Sequence, residues 1–206
     1  MKECNLDYTG KIEPAECAGT KVTAELVPGS WERALRMCRN TMWKNATYKE
    51  PSEQFKIDLC KAEHGPLALV EYYIHIPEIK YWMTAHFTRH KFGVTWGQGS
   101  SRDDRHDNPL PRDEMPQGSL VPLDCQVNAL ELIYMARRRL CRMAHAETRK
   151  MMRDILDAVE KVDPVVVRFC VPNCIYRGHC PEKKPCGFFD VARAAGFMGR
   201  YGKLFE

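Results

Sequence analysis

The stretch LALVEYYIHI, residues Leu67–Ile76, is rich in aromatic and β-branched side chains and decides the class of fold. Such a composition is typical of a strand in a packed sheet. Pro77 follows directly and is expected in the first turn of a helix, where a missing N–H is tolerated. Beyond it, side chains recurring at three- and four-residue spacing predict one helical face, formed by Ile79, Trp82, Met83, His86 and His90.

Strand-like and helix-like segments also lie upstream and downstream of this unit. Lys21–Val27 alternates polar and apolar residues and predicts a strand, and Ser30 is the expected N-cap of the helix that follows. Residues 44–56 are predicted to form a loop. Gly93–Gln117 is rich in glycine, proline and aspartate and predicts a second, longer loop of the kind that often carries function.

The C-terminal half begins with the longest helical pattern, Gln126–Val162, which Pro164 is expected to end. A short helix is predicted at Phe188–Phe197. Strands that alternate with helices predict an α+β (α/β) fold, a sheet with flanking helices. We expect a catalytic domain over residues 1–165 and a small Cys-rich C-terminal extension over residues 166–206.

The composition excludes several classes of protein. Of 206 residues, 44% are hydrophobic and 28% are charged, which is typical of a chain with a packed core. No apolar run approaches the roughly 20 residues of a membrane span, and the start, MKEC, has no apolar signal region. The net charge of +4 is too small to indicate nucleic acid. We therefore expect a cytoplasmic protein without a membrane or nucleic-acid partner.

Two groups of basic residues predict an anion site. His86–Lys91 ends a predicted helix, and Ser100–Arg105 supplies hydroxyl and guanidinium groups beside glycines that let backbone N–H groups approach a phosphate. Spacings of four, three and four place a second group on one stripe of a predicted helix: Arg138, Arg142, His145 and Arg149. The alternative for both groups is a solvated basic surface, neutralised in the second by acids such as Glu131 and Glu147.

Ten cysteines make a third candidate site. Six are scattered and are expected to be reduced core residues. The other four lie within seventeen residues among proline and glycine turns, and three interpretations stay open: a zinc site, thiols or disulfides, and an iron–sulfur cluster. These are Cys170, Cys174, Cys180 and Cys186.

Several motifs, taken in order, resemble those of one enzyme family. Arg89-His90-Lys91 resembles that family's Arg-His-Arg triplet, and Ser100-Ser101-Arg102 resembles its Ser-x-Arg, at a spacing one residue longer. Upstream, His64-Gly65-Pro66 precedes the aromatic strand as in the family. Downstream, the family's Asn, Arg and Ala-Gln-x-Glu-x-Arg correspond to Asn128, Arg139 and Ala144–Arg149, and Ser30–Cys38 resembles its first helix. Taken together, these motifs resemble the flavin-dependent thymidylate synthases, and the chain resembles a divergent, phage-type branch of that family.

The resemblance implies transfer of one carbon from methylenetetrahydrofolate to C5 of deoxyuridine monophosphate (dUMP), giving dTMP. It implies FAD as the cofactor, NADPH as the reductant, and a homotetramer with shared active sites. The implied catalytic residues are Arg139, which polarises the uracil ring, and His90. The implied dUMP ligands are His86, Arg89, Ser100, Ser101, Arg102 and Arg139. The implied cofactor contacts are His64, Arg89, His90, Lys91, Gln98 and Asn128.

Three departures from the family pattern keep a second product open. Gly65 and Ala68 stand where the family has hydroxyl and acidic residues, and Leu130 replaces a basic residue. The resemblance places these positions on the flavin side, so their change affects the hydride step. If water takes the place of hydride in that step, the product is 5-hydroxymethyl-dUMP, which phages need for modified DNA. An alternative of another class is a zinc-dependent nucleic-acid-binding module, based on the cysteine group and the basic stripe.

Overall fold

The computed structural model describes residues 21–102, 104–105 and 110–194. Its centre is an antiparallel sheet of four strands: β1 (Thr23–Leu26), β2 (Glu71–Lys80), β3 (Val94–Gln98) and β4 (Leu120–Asn128). Their spatial order is β1-β2-β4-β3. The longest pairing joins β2 to β4, so these two strands form the middle of the sheet.

Helices surround the sheet and complete an α+β fold, as the sequence predicts. They are α1 (Ser30–Thr41), α2 (Glu53–Ala62), α3 (Tyr81–Phe87), α4 (Ala129–Arg139), α5 (Ala146–Glu160), α6 (Pro164–Val167), α7 (Asn173–Arg177) and α8 (Phe188–Ala194). Short 3₁₀ helices occupy Gly65–Leu69 and Arg112–Glu114. None of the described helices is both long and apolar enough to cross a bilayer.

The central strand β2 has one buried and one solvated face. Tyr72, Ile74 and Ile76 are at most 1% exposed and lie in the core. The alternate side chains point the other way, where His75 Nδ1 lies 2.6 Å from Asp124 Oδ1 across the strand pair. This period of two is the pattern of an antiparallel sheet covered on one side only.

The predicted strand–helix boundary at Pro77 is wrong. The strand starts at Glu71, after the 3₁₀ helix that Pro66 opens, and it continues through Pro77 to Lys80. The register with β4 shifts between Ile76 and Ile79, and an irregularity of this kind accommodates a residue that has no N–H to donate. The helix α3 therefore begins only at Tyr81, and Ile79 belongs to the strand rather than to the predicted helical face.

The predicted long loop and the predicted long helix are also interrupted. Strand β3 lies inside the Gly93–Gln117 loop, and α2 begins inside the 44–56 loop at Glu53. The Gln126–Val162 pattern contains the end of β4 and two helices, because Asn128 caps α4 and His145 caps α5.

Two smaller details differ from the prediction, namely the start of α1 and the role of Pro164. Gly29, rather than Ser30, is the N-cap of α1, and the Ser30 hydroxyl donates to the Val27 carbonyl at 2.6 Å. Pro164 opens α6 instead of only ending α5. The predicted 188–197 helix is observed over Phe188–Ala194, and its last three residues lie outside the described residues.

A buried carboxylate joins the C-terminal region to the sheet. Asp163 is 3% exposed and caps α6 with Oδ1. Its Oδ2 accepts hydrogen bonds from Trp31 Nε1 and from the Tyr72 hydroxyl, both at 2.8 Å. Residues of the 166–194 stretch pack in the same hydrophobic cluster as the sheet, among them Phe169. The division of the chain at residue 165 stays a prediction.

Candidate functional site

A cavity of about 450 Å³ lies among the end of α4, the segment after α3 and the C-terminal stretch. Its lining includes six cationic side chains: Arg89, Lys91, Arg137, Arg138, Arg139 and Arg142. Glu131 and Glu182 are the acidic residues in the lining, so positive charge is in excess. Clefts lined by one sign of charge concentrate ions of the opposite sign. The cavity therefore suits an anionic ligand.

The helix α4 delivers most of this charge through its last turn. Asn128 begins the helix by accepting a hydrogen bond from Glu131 N at 2.9 Å, and the last turn carries Arg137, Arg138 and Arg139. Cations at a helix C-terminus interact favourably with the helix dipole. Arg137 is buried in an ion pair with Glu63, and the ring centre of Tyr176 lies 3.4 Å from its guanidinium carbon.

Arg138 and Arg139 are consequently the residues of this turn that remain for a ligand. Arg139 is half-buried, and burial lowers its pKa, with Arg89 and Arg138 lowering it further. A guanidinium nevertheless stays protonated in proteins. The positive charges of Arg89 and Arg138 disfavour the charge on Arg139, and an anion bound beside Arg139 offsets this repulsion.

A chain of two hydrogen bonds orients Arg139. Its Nε donates to His90 Nε2 at 3.2 Å, so the ring proton of His90 lies on Nδ1. That nitrogen donates to Glu131 Oε1 at 2.7 Å. His90 and Glu131 are both buried, and the ring of Tyr134 meets His90 edge-on at 5.8 Å. The carboxylate therefore fixes the ring, and the ring fixes the guanidinium.

His86 lies beside this group without lining the cavity. Its Nδ1 is 2.8 Å from the Thr148 hydroxyl, and Trp82 contacts its ring edge-on. Burial lowers the pKa of His86, and Arg139, Arg89 and His145 lower it further. The predicted dUMP ligand His86 is thus part of the electrostatic surroundings of the cavity.

The predicted serine–arginine loop does not reach the cavity of this chain. Ser100 accepts a hydrogen bond from Arg102 N at 3.2 Å, and Arg102 forms a two-pronged pair with Asp104 at 2.9 and 2.7 Å. Ser101 lines a second, smaller cavity beside Tyr81. Within one chain the loop and Arg89 are therefore separate.

Three predicted cofactor contacts also lie away from the cavity lining. His64 is exposed before the first 3₁₀ helix, and Gln98 is exposed at the end of β3. Asn128 uses its side-chain oxygen as a helix cap, and its amide packs on Gly93, where an added Cβ would lie 2.3 Å from Asn128 Nδ2. With φ of +67°, position 93 requires glycine in any case, and the close approach explains how Asn128 is held.

The predicted basic stripe on one helix is wrong. Arg138 lies in α4, Arg142 lies in the turn after it, His145 caps α5, and Arg149 lies within α5. Arg149 Nη1 donates to the carbonyl oxygens of Arg142 and Ala144, which lack partners from a continuous helix. Arg138 and Arg142 do face the cavity, whereas His145 contacts Trp82.

The cysteines of the predicted zinc site divide into two environments. Cys174, Cys180 and Cys186 line the cavity, together with Cys141 from the end of α4. Cys170 is buried elsewhere, with its Sγ 3.6 Å from the Val166 carbonyl oxygen. All four predicted ligands are free thiols. Among the described residues no three ligating side chains already converge on one metal position.

Glu131, Tyr134 and Cys141 line the cavity although the sequence did not identify them as site residues. A signal existed for Glu131, since an acid three residues after a capping Asn lies in the first turn of α4. The partner of Glu131, His90, is far away in sequence, so spacing along the chain did not reveal the pair.

Comparison with known proteins finds the same fold among solved structures. A Helicobacter pylori thymidylate synthase X structure with FAD and dUMP has a TM-score of 0.57 and 13% identity, over 74% of this chain and 99% of that chain. A second H. pylori complex with FAD and dUMP gives the same TM-score and identity over 73% of this chain and 99% of that chain. A UMP/dUMP methylase, PolB, from Streptomyces cacaoi bound with 5-Br dUMP has a TM-score of 0.55 and 13% identity, over 73% of this chain and 94% of that chain.

Neither a scan against protein families nor a search of curated sequences finds a match. At this identity the likeness shows the fold, and the chain shares the fold of these thymidylate synthase X and PolB structures over about three quarters of its length.

Proposed function

We propose that this protein is an enzyme that transfers one carbon from methylenetetrahydrofolate to C5 of dUMP and gives dTMP. The observation that carries the proposal is the half-buried Arg139 guanidinium, held by His90 and Glu131 in a cavity with excess positive charge. The neighbours of the same fold were solved with dUMP or 5-Br dUMP, a ligand of matching charge and size.

The residues of the cavity divide the work on such a ligand. Arg89 and Arg142 are available for the phosphate, since no described residue forms an ion pair with either guanidinium. Arg139 is the oriented cation, and we assign it to the uracil carbonyl oxygens. A fixed positive charge there stabilises negative charge that develops on the ring, which raises the nucleophilicity of C5.

The donor set also fits FAD. Lys91 is a further exposed cation at the cavity, next to Arg89, and an ammonium group suits the diphosphate of this cofactor. FAD, when bound, supplies hydride chemistry, with NADPH as the source of the electrons. His90 orients Arg139 in this proposal, because both of its ring nitrogens are engaged within the protein.

We further propose that the serine–arginine loop serves the cavity of another subunit. Within one chain, Ser100–Arg102 lies apart from Arg89, and the Arg102 guanidinium pairs with the exposed Asp104. A homotetramer with shared sites, as the family resemblance implies, would bring the loop of one subunit to the cavity of its neighbour. Arg102→Ala mixed with Arg139→Ala should then regain activity, because some mixed sites contain both arginines.

The test of the function is a defined reaction with the purified protein. It contains dUMP, methylenetetrahydrofolate, FAD and NADPH, and mass spectrometry identifies the nucleotide product. Dependence on NADPH and a product heavier by one CH₂ support dTMP synthesis. A product heavier by CH₂O, formed without net oxidation of NADPH, supports 5-hydroxymethyl-dUMP, the alternative that Gly65, Ala68 and Leu130 keep open. No release of tritium from C5 of labelled dUMP overturns both.

A further inference from the structure

Four thiols from three separate segments line one region of the cavity. Cys141 follows α4, Cys174 lies in α7, and Cys180 and Cys186 lie between α7 and α8. All four line the same cavity of about 450 Å³ and are free thiols, so the fold brings them to one side of α4 although Cys141 is distant from the others in sequence. Thiols crowded in this way are stabilised as thiolates by a shared cation.

Cys170 does not belong to this group, although it belongs to the cysteine-rich sequence. Its side chain is buried in the core, where Sγ contacts the Val166 carbonyl oxygen at 3.6 Å and Cys60 lies nearby. The group therefore has four members only because Cys141, distant in sequence, replaces Cys170. The four cysteines that the fold brings to the cavity therefore differ by one residue from the four that lie close together in the sequence.

The charges around the four thiols favour an anionic centre. Arg138 lines the same cavity as the thiols, and the Tyr134 hydroxyl raises its pKa most, with Glu182 and Cys141 raising it further. Arg142 lines the same cavity. A metal bound by four thiolates carries net negative charge, and nearby guanidinium groups reduce the cost of burying it.

We propose that Cys141, Cys174, Cys180 and Cys186 bind a thiolate-ligated metal centre, either a zinc ion or an iron–sulfur cluster. Both are centres that four cysteines hold. The centre would link the C-terminal stretch to the end of α4, next to the arginines of the cavity. Among the described residues no three ligating side chains converge on one point, so a single zinc ion requires the thiols to move closer together, whereas in an iron–sulfur cluster different irons bind the thiolates. The proposal does not depend on the reaction proposed above.

The test is metal and sulfide analysis of the full-length protein, purified anaerobically without a metal-affinity tag. One zinc ion per chain, or iron with acid-labile sulfide, supports the proposal and distinguishes the two centres. Replacement of Cys141 by alanine should remove most of the metal, whereas the matched variant Cys170→Ala should retain it. Equal retention in both variants, or metal loss only in Cys170→Ala, overturns the assignment.

A second measurement keeps the test decisive if the alanine variants fail to fold. Alkylation of the wild-type protein is followed by mass spectrometry of its peptides, with and without a chelator. The four proposed ligands should be protected until the chelator is added, and the partly exposed Cys38 should react equally in both samples. A wild-type protein without metal, or with these cysteines in disulfides, overturns the proposal.

Discussion

Removing the carboxylate of Glu131 should disable Arg139 while leaving Arg89 and Arg142, the arginines proposed to bind the phosphate, unchanged. In Glu131→Ala the Nδ1–H of His90 loses its acceptor. His90 is only 5% exposed, so water does not readily replace that acceptor. The ring is then free to rotate, and its Nε2 no longer meets the Arg139 Nε at 3.2 Å. Alanine is the best helix former, so α4 itself should persist.

The magnitude follows from the hydrogen bond that is lost. A hydrogen bond to a charged group contributes about 1.5–3 kcal/mol, and a buried donor left without a partner costs a similar amount. If this free energy is what holds Arg139 in place for the transition state, kcat should fall about 10- to 150-fold, at about 1.4 kcal/mol per factor of ten. Glu131→Gln retains an acceptor oxygen but loses the charge, and its kcat should fall less.

The assay is release of tritium from C5 of labelled dUMP, with urea unfolding of each variant as the control for folding. Because Arg89 and Arg142 are unaltered, KM for dUMP should change by only about twofold while kcat falls, the mark of an interaction made in the transition state. A folded Glu131→Ala protein with kcat near the wild-type value would refute the positioning chain from Glu131 through His90 to Arg139.

Three further substitutions and one control variant test the charge of the cavity, the stability of the fold and the titration of His86. Arg139→Ala should reduce turnover by about 100-fold or more, the effect of removing a preorganised charge, whereas the exposed Arg36→Ala should leave turnover unchanged. Asp163→Ala should lower the free energy of unfolding in urea by about 3–6 kcal/mol, because two buried donors and a helix cap lose their acceptor. The pKa of His86 is lowered from 6.5 in the folded state, so the unfolded state takes up a proton first, and stability should fall as pH drops below about 6.5. His86→Gln should show a smaller decrease.

Each of these expectations has an outcome that contradicts it. Equal turnover in Arg139→Ala and Arg36→Ala would remove Arg139 from the mechanism. A loss below about 1 kcal/mol in Asp163→Ala would show that Trp31 and Tyr72 find other acceptors, since one unsatisfied donor alone costs more. Identical pH dependence of unfolding in wild type and His86→Gln would show that neither burial nor the charges of Arg139 and Arg89 lower the pKa of His86.

The sequence correctly predicted those elements whose formation depends on residues close together in the chain. The buried face of β2 was recognisable because aromatic and β-branched residues follow one another. Strand β3, with the sequence VTWGQ, was not recognisable, since it contains glycine and is stabilised by pairing with β4, which lies more than twenty residues later. The continuation of β2 through Pro77 likewise depends on a register shift that the partner strand accommodates.

The candidate site shows the same difference between features that depend on nearby residues and features that depend on distant ones. His90 and Arg139 were identified from motifs, and the structure brings them within 3.2 Å of each other. The break after α4 was not predicted, because no glycine or proline lies in residues 140–145. Tertiary contacts produce it: Arg149 satisfies the open carbonyl groups there, and the His145 ring packs on Trp82. Propensity alone favours a continuous helix.

The end of α4 explains why the C-terminal stretch and the cavity belong together. Successive residues of a helix point about 100° apart, so neighbours in sequence face different surroundings. Arg137 points to Glu63 and to the Tyr176 ring of α7, Arg139 points to His90, and Cys141 joins the thiols of the C-terminal stretch. One turn of helix thus holds the C-terminal stretch and orients the cation of the cavity. A change in how that stretch is held, such as loss of the Arg137–Tyr176 contact, is therefore expected to disturb the helix end that carries Arg139.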